Sequence, residues 1–169
     1  DFGCGGEHFV HALGELGISA KGFDISSDLI NIACQAWEDS NLLSGDPPFQ
    51  LLQKEEEIWL EIINSNSDVI SLIGVLEHLR DPKKVFEAFF SSKSKYMYFS
   101  VPLFSLSVYI ENVFPEIFPR HLGGGHTHLY TYQSLAYILK KYNFKEEGQW
   151  IFGADAMDLR RSLITQGAK

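Results

Sequence analysis

The chain has 169 residues, of which 45% are hydrophobic, and its formal net charge is −8. This length and apolar content suffice for a single domain with a sizeable core. The scattered basic residues argue against nucleic acid as a partner, because binding a polyanion requires clustered Lys and Arg. No apolar run approaches the roughly 18 residues of a membrane span and no signal peptide is visible, so we expect a cytoplasmic protein without a membrane span.

A short glycine-rich segment, Asp1 to Gly6, opens the chain. Glycine allows positive φ and lets the backbone approach a ligand closely. Apolar residues at helical spacing predict a helix over His8–Leu16, and a strand is predicted next over Ala20–Ile25, with Asp24 near its carboxyl end. Open α/β sheets bind ligands at that edge, where a carboxylate can accept both ribose hydroxyls. The segment therefore predicts a nucleotide-cofactor cradle.

Two common cofactor loops do not match this opening segment. A nicotinamide-dinucleotide fingerprint places its third glycine where this chain has His8, so the close packing of helix on strand is lost. A phosphate-binding P-loop requires Gly-Lys-Ser/Thr after the glycines, and that triplet is missing. The features that a cofactor family must match are therefore Asp1, two residues before the first glycine, the Gly3-Cys4-Gly5 turn, and Asp24 at the end of the next strand.

The rest of the chain alternates predicted helices and strands. Ser26 or Ser27 can cap the second helix, and Asp81-Pro82 begins the fourth. The predicted helices cover 27–37, 55–63, 81–90, 132–142 and 155–164, and the predicted strands cover 49–53, the apolar part of 66–82, 96–101 and 144–152. This order predicts an α/β fold, a Rossmann-like doubly wound and mostly parallel sheet with helices on both faces. Asp1 lies where the first strand of such a sheet would already be ending, so we expect that strand to be missing from this chain.

A second motif includes the apolar strand predicted within 66–82. Asp68 precedes a continuous apolar run, and the run ends in Leu76-Glu77-His78, with Asp81-Pro82 just beyond. Together with the Gly-Cys-Gly turn and Asp24, in this order and at this separation, the segment resembles the class I S-adenosylmethionine-dependent methyltransferase family. The segment from His128 to Leu135, ending in Tyr142-Asn143-Phe144, further resembles the small-molecule, ubiquinone-biosynthesis-like subgroup of that family.

The resemblance implies a cofactor site for S-adenosyl-L-methionine, with S-adenosyl-L-homocysteine as the product. By resemblance, Asp1 lies near the methionyl amino group, the loop backbone lines the methionyl part and Asp24 holds the ribose. The cofactor-binding candidates are Asp1, Gly3, Cys4, Gly5, Asp24, Ile25 and Gly74. Glu7 stands where the family usually has a third glycine, with Gly6 as the substitute. Gln53 and Glu55 are the nearest candidates for an acid that meets the adenine amino group.

Residues 102–131 form a predicted acceptor lid within a single domain spanning 1–169. The segment is long for a connection and rich in aromatic residues, and Gly123 to Gly125 supply a predicted hinge. Imidazole titrates near neutrality, so His126 and His128 are our candidates for a catalytic base if the acceptor must lose a proton. Together with His121 they invite a metal interpretation, but no Asp, Glu or Cys completes a ligand set in the residues that follow, so we predict no metal site.

We therefore predict methyl transfer to a small-molecule acceptor by in-line displacement, for which a protein chiefly aligns the reactants and excludes water. One alternative is a binding or regulatory module that keeps the fold without activity, suggested by Glu7 and by the lack of a secure adenine-binding acid. Another is a metal-dependent, oxygenase-like function of the histidines. The sequence leaves open the acceptor, whether oxygen, nitrogen or carbon is methylated, and the oligomeric state.

Overall fold

A computed structural model of the chain describes residues 1–6, 8–40, 45–113 and 125–151. The chain divides into two compact units, Asp1–Ser100 and Val101–Lys169. The described elements of the first unit are α1 (His8–Glu15), β1 (Gly22–Asp24), α2 (Ser27–Asp39), β2 (Phe49–Leu51), α3 (Glu56–Asn64), β3 (Val69–Ile73), α4 (Lys83–Ser91) and β4 (Tyr96–Ser100). Those of the second are α5 (Leu106–Val113) and α6 (Tyr132–Lys141).

The strands of the first unit are parallel, as the alternation of helices and strands predicts. β1 pairs with β2, and β3 pairs with β4. Phe2 joins the two pairs through parallel bridges to Phe23 and to Leu72. Its N–H donates to the Ser71 carbonyl at 2.9 Å, and the Phe23 N–H donates to the Asp1 carbonyl at 2.8 Å. The opening residues thus lie between β1 and β3, so the glycine loop leaves from the middle of the sheet.

One face of this sheet is covered by α4. Residues paired across parallel strands project to the same face, so Phe2, Phe23 and Leu72 share a side. The rings of Phe2 and Phe23 stack at 4.8 Å between centroids. Leu72 is paired with Phe99 of β4, whose ring meets Phe86 of α4 edge-on at 5.9 Å. Burial of these apolar side chains fixes α4 against this face.

The opposite face is covered by α1 and α2. Phe49 and Leu51 alternate with the side chains of the first face, being paired with Gly22 and Asp24. They pack against a buried cluster made of one loop residue and one residue from each helix, namely Cys4, Val10 and Ile30. Helices therefore lie on both faces of a parallel sheet, which confirms the predicted doubly wound arrangement.

The predicted serine cap of α2 is confirmed, whereas the N-cap residues of α3 and α4, Glu55 and Pro82, make no side-chain cap hydrogen bond. The Ser26 hydroxyl accepts the N–H of Leu29 at 3.4 Å and caps α2. The Asp81 carboxylate accepts the Lys83 N–H at 3.3 Å at the start of α4. At the start of α3, the Glu57 carboxylate accepts the Gln53 N–H at 2.9 Å. A side-chain hydrogen bond to the backbone thus lies at the start of α2, α3 and α4.

The second unit departs from the prediction in two places. Residues 106–113, predicted as part of a lid, form α5, which buries Ser107 and Val108. The predicted strand over 144–152 is wrong for its described part, since 144–151 contain no strand. The turn after α6 has Asn143 at φ 50, and the Phe144 N–H donates to the Leu139 carbonyl at 2.9 Å, a pattern that ends helices. The predicted helix over 155–164 lies outside the described residues.

Within the described ranges, no helix is long and apolar enough to cross a membrane.

Candidate functional site

The glycine loop is fixed by backbone hydrogen bonds at the carboxyl ends of the central strands. The N–H groups of Gly3 and Cys4 both donate to the Phe23 carbonyl, at 2.7 and 3.1 Å. Gly3 has φ +70, and a Cβ at this position would lie 2.4 Å from Cγ2 of Val75. Only glycine combines this backbone conformation with so close an approach. The loop therefore lies directly against the turn that follows β3.

Asp24 is the centre of the site. Its side chain is 9% exposed, and each carboxylate oxygen accepts a backbone N–H. Oδ2 accepts the Gly5 N–H and Oδ1 accepts the Ser26 N–H, both at 2.9 Å. Each oxygen of a carboxylate can accept two hydrogen bonds, so both keep one acceptor position for a ligand hydroxyl. The acid predicted to hold ribose thus also ties the glycine loop to the start of α2.

Ile25 is the next residue along the chain and is 63% exposed, although it is a large apolar side chain beside a buried carboxylate. An exposed apolar surface next to a polar anchor is typical of pockets for ligands that have a ring and a few hydrogen-bonding groups. Ile25 therefore fits its predicted place in the cofactor site.

Asp1 lies beside β3, next to Phe2, which bridges β1 and β3. The Ser71 hydroxyl donates to Oδ1 of Asp1 at 2.8 Å. Ser71 is 5% exposed and sits among apolar neighbours of β3. A buried hydroxyl that donates to a carboxylate makes a charge-assisted bond, about twice as strong as a neutral one. The acid predicted to meet the methionyl amino group is thus held by a serine that the sequence analysis missed.

Cys4 is a packing residue of the loop. Burial, together with the nearby Asp24 carboxylate, raises the pKa of its thiol to about 11. A thiol with this pKa stays protonated at neutral pH and is a poor nucleophile. A Cβ on Gly22 would lie 2.9 Å from the Cys4 sulfur, so the glycine of β1 makes room for it. Cys4 thus supports the loop through its buried side chain, while its predicted contact with the cofactor stays a prediction.

The turn after β3 is the third part of the candidate site, beside the glycine loop and Asp24. The Gly74 N–H donates to the Ser100 hydroxyl at 3.0 Å, which ties this turn to the end of β4. Glu77 is 5% exposed. Three residues further on, the Arg80 N–H donates to the Glu55 carboxylate at 3.0 Å. These two bonds tie the turn after β3 to the end of β4 and to the start of α3.

The two candidates for an adenine-binding acid occupy different settings. Gln53 is exposed after β2. Glu55 is partly buried, and one of its carboxylate oxygens accepts the Arg80 N–H. Glu55 therefore connects α3 with the turn after β3, and Gln53 keeps its side chain in solvent. Glu7 lies outside the described residues.

The candidate catalytic bases, His126 and His128, lie in the second unit in a segment without regular structure, and both are partly buried. The Thr127 hydroxyl lies 2.8 Å from Nδ1 of His128. Just beyond, Tyr130 forms a parallel bridge with Leu103, so the two ends of the predicted lid segment pair with each other. His121 and the first two glycines of the predicted hinge lie outside the described residues.

Comparisons with known proteins agree on one family. The sequence signature described as "Methyltransferase domain" matches residues 1–147. A ubiquinone biosynthesis O-methyltransferase of Paraburkholderia phymatum is 33% identical over 92 residues, covering 52% of this chain and 36% of that protein. One of the same name from Methylococcus capsulatus is 32% identical over 88 residues, covering 52% and 35%. The matches thus span about a third of the length of these curated relatives.

Two solved structures have the same fold. A SAM-dependent methyltransferase of Methanosarcina mazei aligns with a TM-score of 0.59 at 20% identity, covering 84% of this chain and 76% of that one. A SAM-dependent methyltransferase of Archaeoglobus fulgidus aligns with a TM-score of 0.55 at 21% identity, covering 99% and 77%. At these identities the likeness shows the fold, which confirms the predicted Rossmann-like α/β class.

Proposed function

The chain belongs to the methyltransferase domain family, and we propose that its glycine loop and Asp24 hold S-adenosylmethionine for methyl transfer to a small-molecule acceptor. The observation that carries the proposal is the contact between the two predicted halves of the site, in which the Gly5 N–H donates to the Asp24 carboxylate at 2.9 Å. Family membership supports this class of reaction over a metal-dependent oxygenase.

The residues of the site suit each part of this cofactor. The second acceptor positions on the two Asp24 oxygens suit the vicinal hydroxyls of a ribose. Ile25, 63% exposed, offers an apolar surface to the adenine ring. A Cβ on Gly5 would meet nothing within 4 Å, so the loop surface there is open to a ligand. We assign Asp1, Gly3, Cys4 and Gly74 to the methionyl end, because the opening residues lie against β3 and against the turn that follows it.

The sulfonium centre of S-adenosylmethionine supplies an already activated methyl carbon when it is bound. The work of the protein is then to align donor and acceptor in line and to exclude water. Asp24 holds the ribose hydroxyls, and this contact sets how far the cofactor's sulfur atom lies inside the site. The hydrogen bond between Gly74 and Ser100 keeps the opposite wall in place. Rigid positioning by backbone groups fits a reaction that needs few catalytic side chains.

For the acceptor we propose a hydroxyl group on a small molecule, since both curated relatives are named O-methyltransferases. A hydroxyl must lose its proton as the new bond to oxygen forms, so a base is needed. His126 or His128 would accept that proton. The Thr127 hydroxyl at 2.8 Å from Nδ1 of His128 would hold that ring and leave Nε2 for the acceptor.

Two measurements test the proposed function. Isothermal calorimetry with S-adenosylhomocysteine should show one site per chain, and incubation with methyl-labelled S-adenosylmethionine and a panel of phenols and catechols should label at least one of them. Asp24→Asn should weaken binding, while Glu38→Gln, an exposed change on α2, should not. Binding without transfer to any acceptor would favour the inactive binding module, and no binding at all would refute the cofactor site.

The proposed base has its own test. His126→Ala or His128→Ala should lower turnover more than it lowers affinity for S-adenosylmethionine, and raising the pH should partly restore the rate as the acceptor hydroxyl ionises by itself. If cofactor binding collapses in either variant while the turnover of the bound complex is unchanged, the assignment of that histidine as the base is wrong.

A further inference from the structure

Ser71 is the one polar side chain of β3, in the sequence Val69-Ile70-Ser71-Leu72-Ile73. It is 5% exposed, and burying a hydroxyl has a cost unless the hydroxyl is hydrogen-bonded. An apolar residue would fit the middle of a strand between Ile70 and Leu72 at least as well. Packing alone therefore does not explain why a serine occupies this position.

The reason is the hydrogen bond that Ser71 makes with Asp1, in the opening segment beside β3. The Ser71 hydroxyl donates to Oδ1 of Asp1 at 2.8 Å, and the Ser71 carbonyl accepts the Phe2 N–H at 2.9 Å. One residue of β3 thus holds both the side chain of Asp1 and the backbone next to it. Gly3 follows at once, and its backbone is fixed by Phe23. The carboxylate is therefore anchored where the strand turns into the glycine loop.

We propose that Ser71 is a positioning residue, which fixes the Asp1 carboxylate for the amino group at the methionyl end of S-adenosylmethionine. The inference rests on the proposed function. The hydroxyl gives its single proton to one acceptor position of the carboxylate, which leaves others for an ammonium group with three N–H donors. A carboxylate already held in its binding orientation loses less rotational freedom when the ligand arrives, so affinity gains from this preorganisation.

Two ligands separate this role from a general contribution to folding. S-adenosylhomocysteine carries the amino-acid end, whereas 5′-methylthioadenosine keeps the adenosine and the sulfur but lacks it. Ser71→Ala should weaken S-adenosylhomocysteine about tenfold, within the range of a charge-assisted hydrogen bond, and change 5′-methylthioadenosine less than about twofold. Ser71→Thr keeps the hydroxyl and should restore most of the lost affinity.

A double-mutant cycle ties the effect to Asp1. In an Asp1→Ala background, Ser71→Ala should have no further effect on S-adenosylhomocysteine, because the group that it positions is gone. Ser94→Ala is the matched control, since Ser94 also donates a hydroxyl hydrogen bond, at 2.7 Å to the Ser67 carbonyl, at the other end of the strands. That variant should bind both ligands like the unmodified chain, and the melting temperature of every variant shows that it is folded.

Equal weakening of both ligands by Ser71→Ala, or an undiminished effect in the Asp1→Ala background, would overturn the inference while leaving the proposed function intact. If the unmodified chain binds neither ligand, the proposed function fails, and the inference fails with it.

Discussion

Replacing Asp24 by Asn tests whether one carboxylate both organises the glycine loop and holds the ligand. The two oxygens of Asp24 accept the N–H groups of Gly5 and Ser26 at 2.9 Å each. An Asn side chain has one oxygen and one NH₂ group, so in either orientation one of these N–H groups faces another donor. The loss of one charge-assisted bond in a site only 9% exposed costs about 2 kcal/mol of unfolding free energy.

For a chain of 169 residues this loss lowers the melting temperature by about 4–8 °C. The missing negative charge also weakens the hydrogen bonds to the ribose hydroxyls. A loss of about 2 kcal/mol of binding free energy corresponds to about 30-fold weaker binding of S-adenosylhomocysteine. Thermal unfolding and calorimetry measure the two effects separately. A destabilised Asp24→Asn variant that binds the ligand as tightly as the unmodified chain would refute the ribose role, and an equally stable one would refute the anchoring of the loop.

Three further changes have defined outcomes. Gly3→Ala should cost more than Gly5→Ala in thermal unfolding, because a Cβ at Gly3 lies 2.4 Å from Val75 and one at Gly5 meets nothing within 4 Å; equal costs would contradict the packing. The folded-state pKa of Cys4 lies above its ordinary value of 9.0, at about 11, so the unfolding free energy should fall as pH rises from about 9 to about 11, and Cys4→Ala should remove that slope. At the start of α6, the Thr131 hydroxyl accepts the Ser134 N–H and the Ser134 hydroxyl accepts the Thr131 N–H. Thr131→Ala removes this cap and should lower the unfolding free energy, measured with denaturant, by about 1 kcal/mol; no loss would show that the cap is dispensable.

The sequence predicted most of the first unit because local signals and tertiary structure agree there. Apolar residues at helical spacing mark α1 to α4, and caps such as Ser26 mark their starts. The strand boundaries were less accurate: the predicted strand over 20–25 shortens to Gly22–Asp24, since only these residues pair with β2. A strand needs a partner for its ladder, and the partner is set by the whole fold.

The same reason explains the errors in the second unit. Residues 144–151 have aromatic and apolar side chains typical of strands, yet Trp150 is 83% exposed and no ladder forms there. α5 was missed because the aromatic residues of the whole segment 102–131 suggested a lid, although Leu106, Ile110 and Val113 already have helical spacing.

Within the candidate site, the sequence predicted the groups that we propose to contact the cofactor and missed the groups that support them. Asp24 was predicted from a motif, and its carboxylate accepts the Gly5 N–H of the glycine loop. Ser71 and Ser100 act through single hydroxyl groups across neighbouring strands, which no motif encodes. A polar residue inside an apolar strand was the available signal for Ser71, because a buried hydroxyl requires a partner.

The most direct test of the central claim is a crystal structure of the protein with S-adenosylhomocysteine bound. We expect both ribose hydroxyls to donate to the Asp24 carboxylate and the amino-acid end of the ligand to lie over Gly3 and Gly5, beside Asp1. A ligand bound elsewhere, or a ribose that makes no contact with Asp24, would contradict it.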